Sequence, residues 1–401
     1  MKLLTTHELH YLKYKDAYFD PKNLTGNNHF FELLDVFDDL VLVARCKEIA
    51  KDPQCQRVDN DRIGFLPVND FRGYDLFGRQ VALLQCRKIV GLADRYWLRS
   101  PGSIASMVGY WLRRANVPYF SHLVGNPGEV AEYTTEHVSK PISKLIRKII
   151  EFQFNSYMKG CYGNLSVTER WLQEIYPSAE PSNDMGASDV NLSYDIFKEH
   201  QRDFNPKVLN IVNIAALLPY KGHQFLFEAL HYIRNQREWC LHLIGEGPIL
   251  EKLKYLAKDL KIIDNVVFHG HLGWANGIID ILDNAHLFVL SSLTEGMPRV
   301  LLEAMARSLP VISTDVGGVN EVVSNEYLVP IKDSNCLAKK ISDYWNSPLK
   351  LEKMSIENFE KIQDFRFDRL SLLRKKWLTW MRDYGDRPSE RTWEQYIQIG
   401  G

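Results

Sequence analysis

The sequence predicts an α/β protein of two doubly wound parallel-sheet domains, and three observations predict it. The chain has 401 residues, more than a single ordinary core holds, so two domains of roughly 150–200 residues are expected. Short apolar runs alternate with longer helical patterns, which is how parallel strands with covering helices are written in sequence. The same alternation stops at a polar stretch and starts again beyond it.

In the first half, Asp39–Cys46 (DLVLVARC) and Ile63–Pro67 read as buried strands. Tyr96–Leu98 and Tyr119–Val124 follow, each behind a helical stretch. Residues 177–206 are rich in Pro, Ser, Asn, Gly and Asp and have little apolar periodicity, so they read as the crossing between domains. Then come a strand at Val208–Ile214, a helix at Gln224–Gln236, a strand at Leu241–Ile244 and a helix at Ile249–Asp259. A strand at Val266–Phe268, a helix at Trp274–Asn284, a strand at His286–Leu290, a helix at Arg299–Arg307 and a strand at Val311–Ser313 complete a second doubly wound domain. The tail, Arg366–Arg382, is helical and rich in Leu, Trp, Lys and Arg. The division expected is 1–190 and 191–374, with 375–401 packing back on the first domain.

Composition removes several function classes. Hydrophobic content of 45% and charged content of 25% are those of a globular protein, and a net charge of −1 argues against a nucleic-acid binder. Six dispersed cysteines, none in a C-x-x-C spacing, support neither a zinc site nor a disulfide framework and suit a reducing cytoplasm. The N-terminus carries no apolar run of signal-peptide length, and no stretch is apolar for the ~18 residues a membrane-spanning helix needs. A cytoplasmic protein is expected.

The segment richest in chemistry is Ser291–Val323 (SSLTEGMPRVLLEAMARSLPVISTDVGGVNEVV). A strand ends at Leu290, and a short loop leads to Pro298, a residue suited to the first helical position. The helix after it is apolar around most of its surface and therefore buried. Glu303 sits in its middle, and a buried carboxylate needs a donor or a cation. The two adjacent hydroxyls of a ribose would serve; a core Arg or Lys is the alternative. Glu295, eight residues earlier, reaches whatever the helix N-terminus holds. That terminus offers free N–H groups and the positive end of the helix dipole to a diphosphate, and Gly296 lets backbone approach it.

Lys221, in Asn213–Gly222 (NIAALLPYKG), follows the first strand of the second domain, where ligands of doubly wound sheets bind. Its ammonium suits a phosphate and the charge that develops on a departing diphosphate. Gly245–Pro248 (GEGP) reads equally as a donor-site border and as a tight turn. Gly270 and His271 offer backbone to a base, and no metal ligation is expected of His269 and His271. Gly317-Gly318 reads as a turn.

These motifs resemble the C-terminal donor domain of glycosyltransferase family 4, the retaining group 1 enzymes of the GT-B fold. PYKGH at 219–223, GEGP at 245–248, VVFHG at 266–270 and EGMPRVLLEAMA at 295–306, a form of E-x7-E, carry the likeness. The resemblance implies two Rossmann-like domains facing each other across a cleft. It implies that Glu295 contacts the donor sugar, Glu303 the ribose and Lys221 the diphosphate. Backbone N–H groups from Gly296, Met297, Pro298 (which has none of its own), Arg299, Val300 and Leu301 line the sugar and phosphates. Two departures stand out. Relatives carry an arginine five residues before the lysine, where this chain has Ala216, leaving Arg299 as a candidate replacement. Arg99, in Asp94–Pro101 (DRYWLRSP), occupies the place of a histidine that faces the donor sugar. Asn126, after the strand ending at Val124, and Asn27, in the loop Lys22–Asn28, are candidates for the acceptor side.

The activity implied is a retaining, metal-independent transfer from a nucleotide sugar, on family grounds a UDP-sugar, to a saccharide or lipid-linked saccharide acceptor in cell-surface polysaccharide or glycolipid synthesis. The nucleotide sugar is a co-substrate and no cofactor is required. An epimerase of the same fold and a non-catalytic nucleotide-sugar or glycan-binding protein are the alternatives. Ser139–Phe154 (SKPISKLIRKIIEFQF) reads as a basic amphipathic helix. Such a helix either lies on an anionic membrane surface, here the inner face, or packs its apolar side on the first domain.

Overall fold

The computed structural model describes residues 1–21, 28–71, 75–128, 140–199, 202–273, 277–387 and 389–398. The chain falls into two compact units, residues 1–127 with 148–187 and 371–401, and residues 128–147 with 188–370.

The first unit is built on a long central strand, β1 (Lys2–Tyr14). Around it lie β2 (Ala17–Asp20), β3 (Asp39–Glu48), β4 (Gln56–Arg57), β5 (Ile63–Asn69), β6 (Arg95–Ser100), β7 (Phe120–Leu123), β8 (Asn164–Ser166) and β9 (Met185–Gly186). The order β5-β3-β1-β6-β7-β8-β9 is parallel throughout, while β2 turns back antiparallel on the far end of β1 and carries β4. The sequence reading did not foresee β1. Its buried stretch runs Leu3, Leu4, Thr5, Thr6, His7, so only two of five core positions are apolar and neither period shows. The buried polar groups are held by partners; His7 Nδ1, for instance, lies 2.6 Å from the Tyr11 hydroxyl.

The second unit contains β10 (Val208–Ile214), β11 (Glu238–Ile244), β12 (Val266–Gly270), β13 (Leu287–Leu290), β14 (Val311–Thr314) and β15 (Leu328–Val329). Their order is β12-β11-β10-β13-β14-β15, every pair parallel. That is a doubly wound sheet whose order reverses between β10 and β13, the place where open α/β sheets bind ligands. The Trp274–Asn284 helix of the sequence reading begins at Ile278; residues 274–276 lie outside the described residues. One side chain of the polar crossing ties two helix ends together. Arg202 donates to the carbonyls of Leu282, Asp283 and Ala285 and to those of Arg307 and Ser308. It thereby satisfies the free carbonyls at the ends of two helices.

Ser371–Gly401 counts with the first unit. In the helix Phe367–Tyr384, Trp377 and Trp380 are fully buried, edge-on to Phe120 of β7. Their ring N–H groups donate to Asn183 O and Arg391 O. Arg374 forms a two-pronged pair with Glu32, at 2.7 and 2.6 Å.

The helix Lys140–Met158 is packed at one end only. Phe154, Tyr157 and Met158 are buried, whereas Ile142, Leu145, Ile149 and Phe152 are exposed. The spacing of those four, three-four-three, puts them on one face. The reading in which this helix turns its apolar side to a core therefore holds only for its last turns.

Candidate functional site: the carboxyl ends of the second sheet

The three loops that leave β10, β11 and β12 are tied together by backbone. Leu217 N–H donates to Glu246 O, Gly245 N–H to Gly270 O, and His271 N–H to the Glu246 carboxylate. GEGP and HGH thus form one surface beside the first loop. His269 instead pairs sideways with His242 of the neighbouring strand, at 3.0 Å.

The loops after β10 and β13 meet more closely. Leu293 N–H donates to Tyr220 O, and the Ser291 hydroxyl to Lys221 O. Gly222 has φ +65°, and a Cβ there would lie 2.0 Å from Ser291 O. Only glycine lets the lysine loop pass at that distance. From the other side, Gly317, at φ +56°, closes on the carbonyls of Glu295 and Gly296, and Gly318 N–H donates to Gly296 O. The Gly-Gly turn therefore braces the site.

Within this frame Lys221 and Glu295 come together. The Lys221 ammonium donates to Glu295 Oε1 at 2.6 Å, and the Ser292 hydroxyl donates to the same oxygen at 2.7 Å. Both side chains are largely enclosed, 17% and 11% exposed. Sequence reasoning did not pick out Ser292, although a serine three residues before a glutamate at a helix entry is a recognisable hydrogen-bonding spacing. It also treated His223 only as part of the PYKGH resemblance, without a role of its own. That imidazole opens the helix His223–Ile233, is 1% exposed, and is partnered at neither nitrogen. Burial, helped by the neighbouring Lys221 charge, holds its pKa down at about 4.

The next helix runs Arg299–Ala306, with Pro298 as the residue before it rather than its first. Leu301 and Leu302 both turn their N–H groups to Pro298 O. Leu301 is thus not an amide donor to a ligand, and Arg299 and Val300 supply the first-turn N–H groups that a helix leaves unsatisfied. Met297 and Pro298 are buried, while Arg299 is exposed. Leu301, Leu302 and Met305 are fully buried, each worth about 1.5–3 kcal/mol, and they fix the helix that carries Glu303. The Glu303 carboxyl is pushed above its usual range by burial, with Arg299 opposing. Among the described residues no cation lies within ion-pair distance of it, so the core Arg or Lys that would make it structural is not there.

The remaining candidates lie in the first unit. Arg99, on β6, sits 3.1 Å from His122 Nδ1, and His122 stacks on Trp97. Asn126 is buried and accepts from the Tyr176 hydroxyl at 2.8 Å, an occupation that holds its loop. Asn27 lies outside the described residues. Ala216 is exposed in the loop after β10.

Comparison with known proteins matches this geometry to one family. The model described as "Glycosyl transferases group 1" matches residues 195–361, which contain every residue of the second unit's site. The match covers about two fifths of the chain. Beyond that match, the chain is 23% identical to Protein CapJ of Staphylococcus aureus, over 94% of each chain. It is 34% identical, over 28% of its length and 30% of the relative's, to an Escherichia coli enzyme named UDP-Gal:alpha-D-GlcNAc-diphosphoundecaprenol alpha-1,3-galactosyltransferase. Among solved structures it resembles a sucrose-phosphate synthase from Thermosynechococcus elongatus (TM-score 0.67, 16% identity, 93% of this chain and 97% of that one). It likewise resembles Anabaena HepE in complex with UDP (TM-score 0.64, 15% identity, 94% and 100%). These two structural likenesses span both units and show that the fold is the GT-B fold of those glycosyltransferases.

Proposed function

We propose that the protein is a retaining glycosyltransferase that moves a sugar from a UDP-sugar to a saccharide or lipid-linked saccharide in the synthesis of a cell-surface polysaccharide or glycolipid. The observation that carries the reading is Glu303. It is a carboxylate in mid-helix, raised in pKa, without a protein counter-ion, one turn inside the helix whose N-terminus sits beside Lys221 and Glu295. A ribose accounts for Glu303, a diphosphate for Lys221 and the Arg299 and Val300 amides, and a sugar for Glu295. The relative named for UDP-galactose and a diphosphoundecaprenol acceptor supports the choice of UDP and of a lipid-linked acceptor. An Escherichia coli relative named for colanic acid biosynthesis, 26% identical over 45% of this chain, supports the polysaccharide setting.

In this mechanism the bond between the sugar's anomeric carbon and the diphosphate breaks first. Lys221 and the helix N-terminus hold the charge that collects on the leaving phosphate. The acceptor hydroxyl attacks from the face just vacated, its proton passes to that phosphate, and the anomeric configuration is kept. Fixed positive groups do the work of a metal, so full activity in the presence of a chelator is expected. Product stereochemistry followed by NMR should show retention; an inverted product would sink the mechanism.

The donor site is tested by calorimetry with UDP, GDP and ADP on the wild type and on Glu303→Ala. UDP binding that weakens by about 1–3 kcal/mol in the variant is the expected outcome. If no diphosphate binds, the site assignment fails.

A further inference from the structure

Lys221 and Glu295, the two groups assigned to the donor's phosphate and to its sugar, are bonded to each other at 2.6 Å. The contact is built in. Glu295 Oε1 also takes the Ser292 hydroxyl, the two loops are laced by Leu293–Tyr220 and Ser291–Lys221 bonds, and Gly317 and Gly318 press on the backbone of Glu295 and Gly296. Neither loop is free to carry its charge away into water.

The pair sets a condition on any ligand. A free nucleoside diphosphate that draws the Lys221 ammonium onto its terminal phosphate takes Glu295's cation and gives nothing back. The carboxylate, 11% exposed, is left with the Ser292 hydroxyl alone, and a largely buried charge robbed of its partner is costly. A nucleotide sugar draws the same ammonium but brings hydroxyl donors to the carboxylate in the same step. We infer that the Lys221–Glu295 pair is a selectivity device by which the site favours the nucleotide sugar over the free nucleoside diphosphate. Glu295 is the group that determines this specificity. After transfer the sugar's hydroxyls leave, Glu295 recaptures Lys221, and release of the diphosphate is favoured. The inference rests on the donor site proposed above.

Calorimetric titration tests it, with UDP and with whichever of UDP-glucose, UDP-galactose and UDP-N-acetylglucosamine the enzyme turns over, on the wild type and on Glu295→Gln. Removing the charge frees Lys221, so UDP should bind the variant at least about tenfold more tightly. The UDP-sugar, losing a charged acceptor for its hydroxyls, should bind no more tightly or more weakly. Glu295→Asp, which keeps the charge but retracts it from Lys221, should shift the UDP-to-UDP-sugar ratio in the same direction by less. It serves if the Gln variant does not fold. UDP that binds the wild type but binds neither variant more tightly overturns the inference and leaves the donor site standing. A wild type that binds neither UDP nor the UDP-sugar overturns both.

Discussion

Burial shifts both His223 and Glu303, the imidazole downward and the carboxyl upward. For His223 burial disfavours the imidazolium and Lys221 adds to the effect, so its folded pKa of about 4 lies below the ordinary 6.5. Between those values the unfolded chain binds a proton that the folded chain refuses. Stability is therefore whole above pH 6.5 and is lost as pH falls toward 4, by roughly 3 kcal/mol at the lower end. Denaturant unfolding at pH 7 and at pH 4 should show that loss in the wild type and a smaller one in His223→Leu. Equal losses would mean that the imidazole is hydrated or paired. Glu303 is raised for the same reason of burial. On the proposed reading, a ribose would offer that carboxyl the hydrogen-bond donors that burial denies it.

Elements decide where the site's side chains stand. The helix Arg299–Ala306 is short, and its apolar residues anchor the backbone that carries Glu303. The lysine loop reaches the loop after β13 only because Gly222 tolerates a left-handed conformation against Ser291 O. The helix Lys140–Met158 works differently, with Ile142, Leu145, Ile149 and Phe152 in a row open to solvent beside Lys144 and Lys148. We propose that this face lies on anionic lipid, which would keep the enzyme beside a lipid-linked acceptor. Flotation with phosphatidylglycerol-containing liposomes should carry the wild type upward. The double variant Leu145→Glu, Ile149→Glu should stay at the bottom, and a wild type that stays there too removes the membrane reading.

For the molecule as a whole, the chain's last segment completes its first unit. Burial alone would raise Glu32, but the hydrogen bonds and charge of Arg374 outweigh it and hold that carboxyl below its usual range. Arg374→Ala would leave the half-enclosed Glu32 with the Ser371 hydrogen bond and the Lys375 charge alone, a loss of about 2–3 kcal/mol. Thermal unfolding should register it as a lower melting temperature, and an unchanged melting curve would show the pair to be dispensable. No helix among the described residues is long and apolar enough to cross a membrane.

The second sheet was legible in sequence because its inner strands β10, β13 and β14 are buried on both faces and read as nearly unbroken apolar runs, and because Glu295, Pro298 and Glu303 fall at helix-entry spacing within one segment. The first strand was not legible, since Thr5, Thr6 and His7 occupy core positions and the strands that flank β1 lie far along the chain. Arg202, which closes two helices, sits in a stretch whose composition marks only a crossing, and nothing local tells which carbonyls it will find. The sequence by itself determined the strand-helix alternation, the two-unit organisation and which charged groups are candidates for the site, because these depend on periodicity and local spacing. Tertiary structure alone decided that Lys221 and Glu295 satisfy each other while Glu303 finds no cation. Pairing depends on which loop ends the winding of the sheet brings within a few ångströms, and residues 221 and 295 are joined only through the reversal between β10 and β13.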